Sequence, residues 1–206
     1  MAHIPDGVLG APILLAGALG CAGLLAVALR RLDYEHLPQA AVLSAAFFVS
    51  SLISVPLGPS SVHLLLNGLM GLLLGWTAVP ALLVALTLQL VFFGHGGLGA
   101  LGVNTLNMAL PALVCAFLLR PRLARSGPGA TFWIGAVAGG MGVLLTGILV
   151  ALTLGLSDRA LLPAAQVLAL TFLPLALVEA LITGTVVSFL GRVDPESLPR
   201  EGLGRA

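Results

Sequence analysis

The sequence predicts an all-α integral membrane protein, a single transmembrane domain built as a bundle of seven helices. Three observations predict it. Of 206 residues, 59% are hydrophobic and 8% charged, and the mean hydropathy is +1.12. A water-soluble domain of this size could not carry that composition on its surface. Second, apolar stretches recur at lengths near the roughly 20 residues needed to cross a hydrocarbon core of about 30 Å, each bounded by turn residues. Third, the basic residues sort to one side of the membrane once the stretches are alternated.

The elements follow in order. The first stretch, 8–29, ends at Arg30-Arg31 and the polar run to Pro38. A second, 38–55, stops at Pro56-Leu57-Gly58-Pro59-Ser60-Ser61. The third and fourth, 62–76 and 79–93, are divided only between Trp76 and Pro80. The glycine-rich run from Gly94 to Gly102 precedes 103–119, and Arg120 to Gly129 precedes 131–155. The last stretch, 162–190, leaves a tail at 191–206, and residues 1–7 form an amino-terminal arm.

The weakest division is 62–93, which could read as one long tilted helix. Arginine counting favours a hairpin. Seven alternating spans place Arg30, Arg31, Arg120, Arg122, Arg125, Arg192, Arg200 and Arg205 on one side and Arg159 alone on the other. By the positive-inside rule the first side is cytoplasmic, with the amino terminus outside and the carboxyl terminus inside. Glycines such as Gly71 and Gly75, spaced as GxxxG, and Gly135, Gly139, Gly142 and Gly147 suit close helix packing. The stripe Ala18, Ala22, Ala26 could instead dock a partner membrane helix.

Several function classes are excluded. All nine basic residues are arginine, so a Walker A loop and lysine Schiff-base chemistry are absent. Neither HExxH nor GxSxG occurs. Work against a gradient would therefore draw ATP from another chain. Cys21 and Cys115 lie in apolar runs and read as packing residues. Ala18-Leu19-Gly20-Cys21 resembles a lipoprotein cleavage site only faintly, because no basic residue precedes it. The amino terminus is expected to be retained.

The four histidines are sorted by the topology. His36 reads as a solvated residue of the first cytoplasmic loop, whereas His3, His63 and His95 share the outer end. A straight helix over 62–93 would put His63 and His95 about 48 Å apart. Three imidazoles at one level, beside Asn67, Asn104 and Asn107, suit a late first-row metal ion. Because the third and fourth stretches are short, their outer ends can lie below the membrane surface. The Met1 to Gly7 arm could then fold into the recess and bring His3 onto His63. Glu179, the one acid well inside a span, should face the bundle interior, in structural pairing or in gating.

Four segments resemble one family. They are Met1-Ala2-His3-Ile4-Pro5-Asp6-Gly7, Val62-His63-Leu64 through Asn67-Gly68-Leu69-Met70-Gly71, Phe93-Gly94-His95-Gly96-Gly97-Leu98 continuing to Asn104-Thr105-Leu106-Asn107-Met108, and Leu177-Val178-Glu179-Ala180-Leu181-Ile182-Thr183-Gly184. In this order they resemble the CbiM/NikM family, the substrate-specific membrane (S) component of energy-coupling factor cobalt and nickel transporters. The resemblance implies a multi-pass protein of the prokaryotic cell (inner) membrane that is not an enzyme. It would capture Ni(II) or Co(II) outside and release it inside when a T-type membrane scaffold subunit and ABC ATPase subunits turn over, with a small accessory membrane subunit as a further partner. The transported ion is then the ligand, with no organic cofactor and no nucleic acid involved. The family's ligands carry over as the terminal amine, the amide and ring of His3, and His63, with His95, Asn67, Asn104 and Asn107 around them. The amine belongs to Ala2 if the initiator is removed, and to Met1 if it is retained. In the second case the amine, two amide nitrogens and the His3 ring would complete four coplanar donors without His63.

Two other classes stay open at this point. His63 and His95 could clamp a haem in an electron-transfer subunit, which would leave His3 idle. A secondary metal transporter working without ATP would need a chain of ionisable residues that the spans lack.

Overall fold

A computed structural model describes residues 3–52, 55–57 and 60–199; the positions of Met1, Ala2 and the end of the tail lie outside them. Seven α-helices occur among the described residues: α1 (Ala11–Arg30), α2 (Leu37–Ser50), α3 (Asn67–Leu74), α4 (Ala78–Phe93), α5 (Leu101–Ala124), α6 (Pro128–Ser157) and α7 (Leu162–Val193). Proline occupies the first turn of α1, α2, α6 and α7. There its fixed φ helps start a helix and its missing N–H removes no intrahelical bond. Five helical stretches are long and apolar enough to cross a membrane: Ala11–Arg30, Asn67–Phe93, Leu101–Ala124, Gly129–Ser157 and Arg159–Val193. Their outward faces are apolar, with Leu19 74% and Leu177 71% exposed, as a surface solvated by lipid requires.

The boundaries depart from the expected stretches at three places. The stretch expected over 103–119 runs on as α5 through Pro121 and Arg122 to Ala124. The helix expected over 38–55 ends at Ser50. The following residues form a short antiparallel hairpin, β1 (Val55–Leu57) with β2 (Ser60–Val62), in the register Val55↔Val62, Pro56↔Ser61 and Leu57↔Ser60. The helix stops before the Pro56 and Gly58 expected to end it, and the backbone of Val55–Leu57 and Ser60–Val62 pairs as strands where a loop was expected. The stretch expected to be helical from 62 begins its helix only at Asn67. Between the hairpin and α3 the chain has no regular structure over 63–66.

Every residue of α3 is buried. A helix apolar on all sides belongs at the centre of a bundle, and α3 contacts α5, α6, α4, α2 and α7. Glycine permits the crowding. A Cβ on Gly68 would run into the Ala138 carbonyl of α6, and one on Gly71 into the Ala112 carbonyl of α5. After Leu74 the chain turns at Gly75, φ +59°, and a short 3-10 turn leads into α4. Arg31 lies over the Trp76 ring at 4.9 Å, and the Arg120 guanidinium fills the space where a Gly75 side chain would stand. At the other end of α4, the His63 and His95 ring centroids are 6.5 Å apart. The chain therefore reverses between them, and Asn67–Phe93 is two elements rather than one rod.

Candidate metal centre

The site is built first by pinning the arm. Asn104, in the first turn of α5, accepts the Ile4 N–H at 2.9 Å and donates its amide to the Ile4 carbonyl at 3.0 Å. Asp6 accepts the Ala100 N–H at 3.0 Å, at the start of α5 where a carboxylate is favoured by the helix dipole. Gly10 donates its N–H to Ser157 Oγ at the end of α6, 2.8 Å away. Ile4 and Leu9 then bury among Val103, Val150, Leu154 and Ala165. The glycine run supplies the space. Gly96, at φ +79°, lies against the Asn104 amide and His3 Cβ, and a side chain on Gly97 would displace the Asp6 carboxylate.

This clamp delivers His3 into the bundle. His3 and His63 are each 5% exposed, and their Nε2 atoms stand 3.0 Å apart. The two rings stack with centroids 5.1 Å apart and 18° between planes. His95 lies parallel to both, at 6.1 Å from His3 and 6.5 Å from His63. His63 Nδ1 donates to the Leu64 carbonyl at 2.9 Å. That bond assigns the hydrogen to Nδ1 and turns the Nε2 lone pair toward His3. Burial, reinforced by the neighbouring imidazoles, pushes the His3 pKa down to about 3. His3 is thus neutral at physiological pH, the form that ligates metal.

Two nitrogens in cis positions on one ion at a metal–nitrogen distance of about 2.0–2.1 Å are about 2.9 Å apart. The 3.0 Å between the two Nε2 atoms is close to that edge, here spanned by a hydrogen bond in which His3 Nε2–H donates to the His63 Nε2 lone pair. Among the described residues no group of three His, Cys, Asp or Glu side chains converges to hold a metal. Further donors would have to come from backbone or terminal nitrogens of the arm. Ala2 and Met1, expected to supply them, lie outside the described residues. An imidazole chelates with its own amide through Nδ1, which closes a six-membered ring with the ion. The Nε2 of His3 is the atom that faces His63, so chelation at its own amide would require the His3 ring to turn.

The remaining expected residues fall at different depths. Asn104 touches the arm's backbone, not an imidazole. Asn67 is a fully buried hub, donating to Thr146 Oγ1 at 2.8 Å and to the Met108 and Gly142 carbonyls. Asn107 accepts from Thr153 Oγ1 at 3.3 Å. His36 pairs with Asp33 at 3.0 Å in the turn after α1. Glu179 reaches the backbone N–H groups of Leu65 and Leu66. Asp6 and Ser157 were not singled out by sequence reasoning. Asp6 carried a signal, since it stands in the arm ahead of a glycine-rich loop; Ser157 carried none.

Similar proteins point the same way. Residues 3–197 match the CbiM family, described as cobalt uptake substrate-specific transmembrane region. A Haemophilus influenzae relative named for metal transport is 42% identical over 200 residues, spanning 96% of this chain and 97% of that one. The fused nickel transport protein NikMN of Rhodobacter capsulatus is 33% identical over 220 residues, covering 95% of this chain and 63% of that longer protein. A solved structure titled as a transition metal transporter superposes with a TM-score of 0.82 at 28% identity, covering 94% of both chains. These relatives are transport proteins, which displaces the haem reading. The chain belongs to the CbiM family of substrate-specific transmembrane metal-uptake proteins.

Proposed function

We propose that this chain is the substrate-capture subunit of an ATP-driven energy-coupling factor importer for Ni(II) or Co(II). It crosses the membrane seven times, with the amino terminus outside and the carboxyl terminus in the cytoplasm. The ion binds at the outer end through the terminal amine, the His3 amide, the His3 ring once it turns its Nδ1 to the ion, and His63 Nε2, and a T-type scaffold with ABC ATPases drives its release. The observation that carries this reading is the buried His3–His63 pair at 3.0 Å, held there by a doubly bonded Asn104. His95 packs as the third ring and limits the volume open to the ion. Asn67 and Asn107 shape the interior below. Four nitrogen donors in a plane suit Ni(II) and exclude hard cations such as Mg(II).

Isothermal titration of the detergent-purified protein with NiCl2 or CoCl2 tests the site. His63→Ala is expected to abolish high-affinity binding, while His36→Ala stays within a few-fold of wild type. Equal losses from both would sink the ligand assignment. Uptake of the ion by cells expressing the chain with and without scaffold and ATPase subunits tests the coupling. Undiminished accumulation from the chain alone would favour a secondary transporter.

A further inference from the structure

Glu179 is fully buried in α7, far along the chain from the histidines, yet one of its oxygens accepts two consecutive backbone N–H groups, from Leu65 and from Leu66, the latter at 3.0 Å. Leu66 is the single non-glycine residue with positive φ among the described residues, at +47°. It caps α3, its carbonyl accepts the Met70 N–H at 2.8 Å, and no side chain of its own segment caps the helix. A left-handed leucine is strained and persists only when its surroundings hold it. The holding group here is a carboxylate from another helix, placed at the end of α3 where negative charge is favoured.

The link continues to His63 through one peptide unit. The N–H of Leu65 and the C=O of Leu64 belong to the same plane and point in opposite directions. The N–H meets Glu179, and the C=O accepts the His63 Nδ1–H at 2.9 Å and the Ser50 hydroxyl at 3.2 Å. Fixing one end of the plane fixes the other. The geometry points to Glu179 as the positioning residue for His63: it orients the Leu64–Leu65 peptide and the Leu66 turn, and thereby aims the His63 Nε2 at His3. Its contribution is reach and an acceptor oxygen, not charge at the ion. The inference rests on metal capture by His3 and His63 and adds to it a tie between α7 and the ligand.

Titration of the full-length chain in detergent with NiCl2, followed by heat and by the visible absorption of bound Ni(II), tests it. Glu179→Gln keeps an oxygen at the same reach and is expected to bind within about threefold of wild type with an unchanged spectrum. Glu179→Met fills similar volume without an acceptor. It is expected to lose about tenfold in affinity, the upper range of a lost hydrogen bond, and to shift the Ni(II) bands as His63 turns away. Should Glu179→Met not purify as a single species, Glu179→Asp, one methylene short, replaces it with the same expectation. A folded Met or Asp variant with wild-type affinity and spectrum overturns the inference, as does a Gln variant that loses as much as Met. If wild type binds no Ni(II) or Co(II), or His63→Ala binds as wild type, metal capture itself fails, a result separable from either of these.

Discussion

At the residue scale, docking of the arm is expected to depend on pH. His3 is docked with its pKa pushed down to about 3, and burial is the main cause. In an undocked arm it returns to about 6.5. The docked state binds fewer protons, so docking is at full strength above pH 6.5 and weakens as pH falls toward 3, by about 1.4 kcal/mol per unit. Deuterium exchange of residues 4–9 in the metal-free protein should be slow and flat between pH 7 and 8, after correction for intrinsic rates, and should accelerate steadily below about pH 6. Protection unchanged down to pH 5 would mean that His3 is not buried as a neutral ring. The sequence showed which imidazoles belong together, because topology alone separates His36 from the other three. It did not show the clamp, because Asn104 and Ser157 bond to the backbone of Ile4 and Gly10, and Asp6 of the arm to the backbone N–H of Ala100, and a backbone partner leaves no residue-type signal at the position that receives the bond.

At the element scale the central helix sets the tolerance to change. Gly71 meets the Ala112 carbonyl, a backbone atom that cannot swing aside, whereas the space around Gly23 in α1 is open. Gly71→Ala should cost about 1–3 kcal/mol through forced separation of α3 and α5. Gly23→Ala should be neutral or stabilising by up to about 1 kcal/mol, because alanine is the better helix former. Thermal unfolding in one detergent compares the two, and an equal effect would show that α3 is not the packing centre. Helix positions were legible because apolar runs and their proline starts are strong local signals. The short α3 was not, since Leu64, Leu65 and Leu66 extend its apolar run without interruption. The N–H groups of Leu65 and Leu66 are instead taken by Glu179 in α7, a long-range partner that no local pattern contains. The hairpin at 55–62 escaped notice for a related reason: Pro56 and Gly58 say only that a helix cannot run past them, and α2 has already ended at Ser50, whereas strand pairing is decided by the two segments meeting.

At the scale of the whole molecule, His63 and His95 gather at one end while Arg31 and Arg120 gather around the Gly75–Trp76 turn. The 16 residues of α4 set these ends roughly 24 Å apart. That is close to the thickness of a hydrocarbon core, so the histidines and arginines belong to opposite faces. In the proposed orientation, which rests on the arginine bias, the histidine face is the outer one. The consequence is checkable in intact cells with single cysteines in a background where Cys21 and Cys115 are replaced by alanine. Asp33→Cys, in the turn after α1, and Leu98→Cys, in the glycine-rich loop, are separated by α2, α3 and α4. In the proposed topology three crossings would put them on opposite sides, so a membrane-impermeant maleimide should label Leu98→Cys in intact cells and Asp33→Cys only after permeabilisation. If α3 and α4 formed one crossing, two crossings would separate the sites and both would label alike. Equal labelling of the pair would therefore remove the hairpin and the seven-fold count with it, and would carry the ion site away from the side on which the cargo arrives.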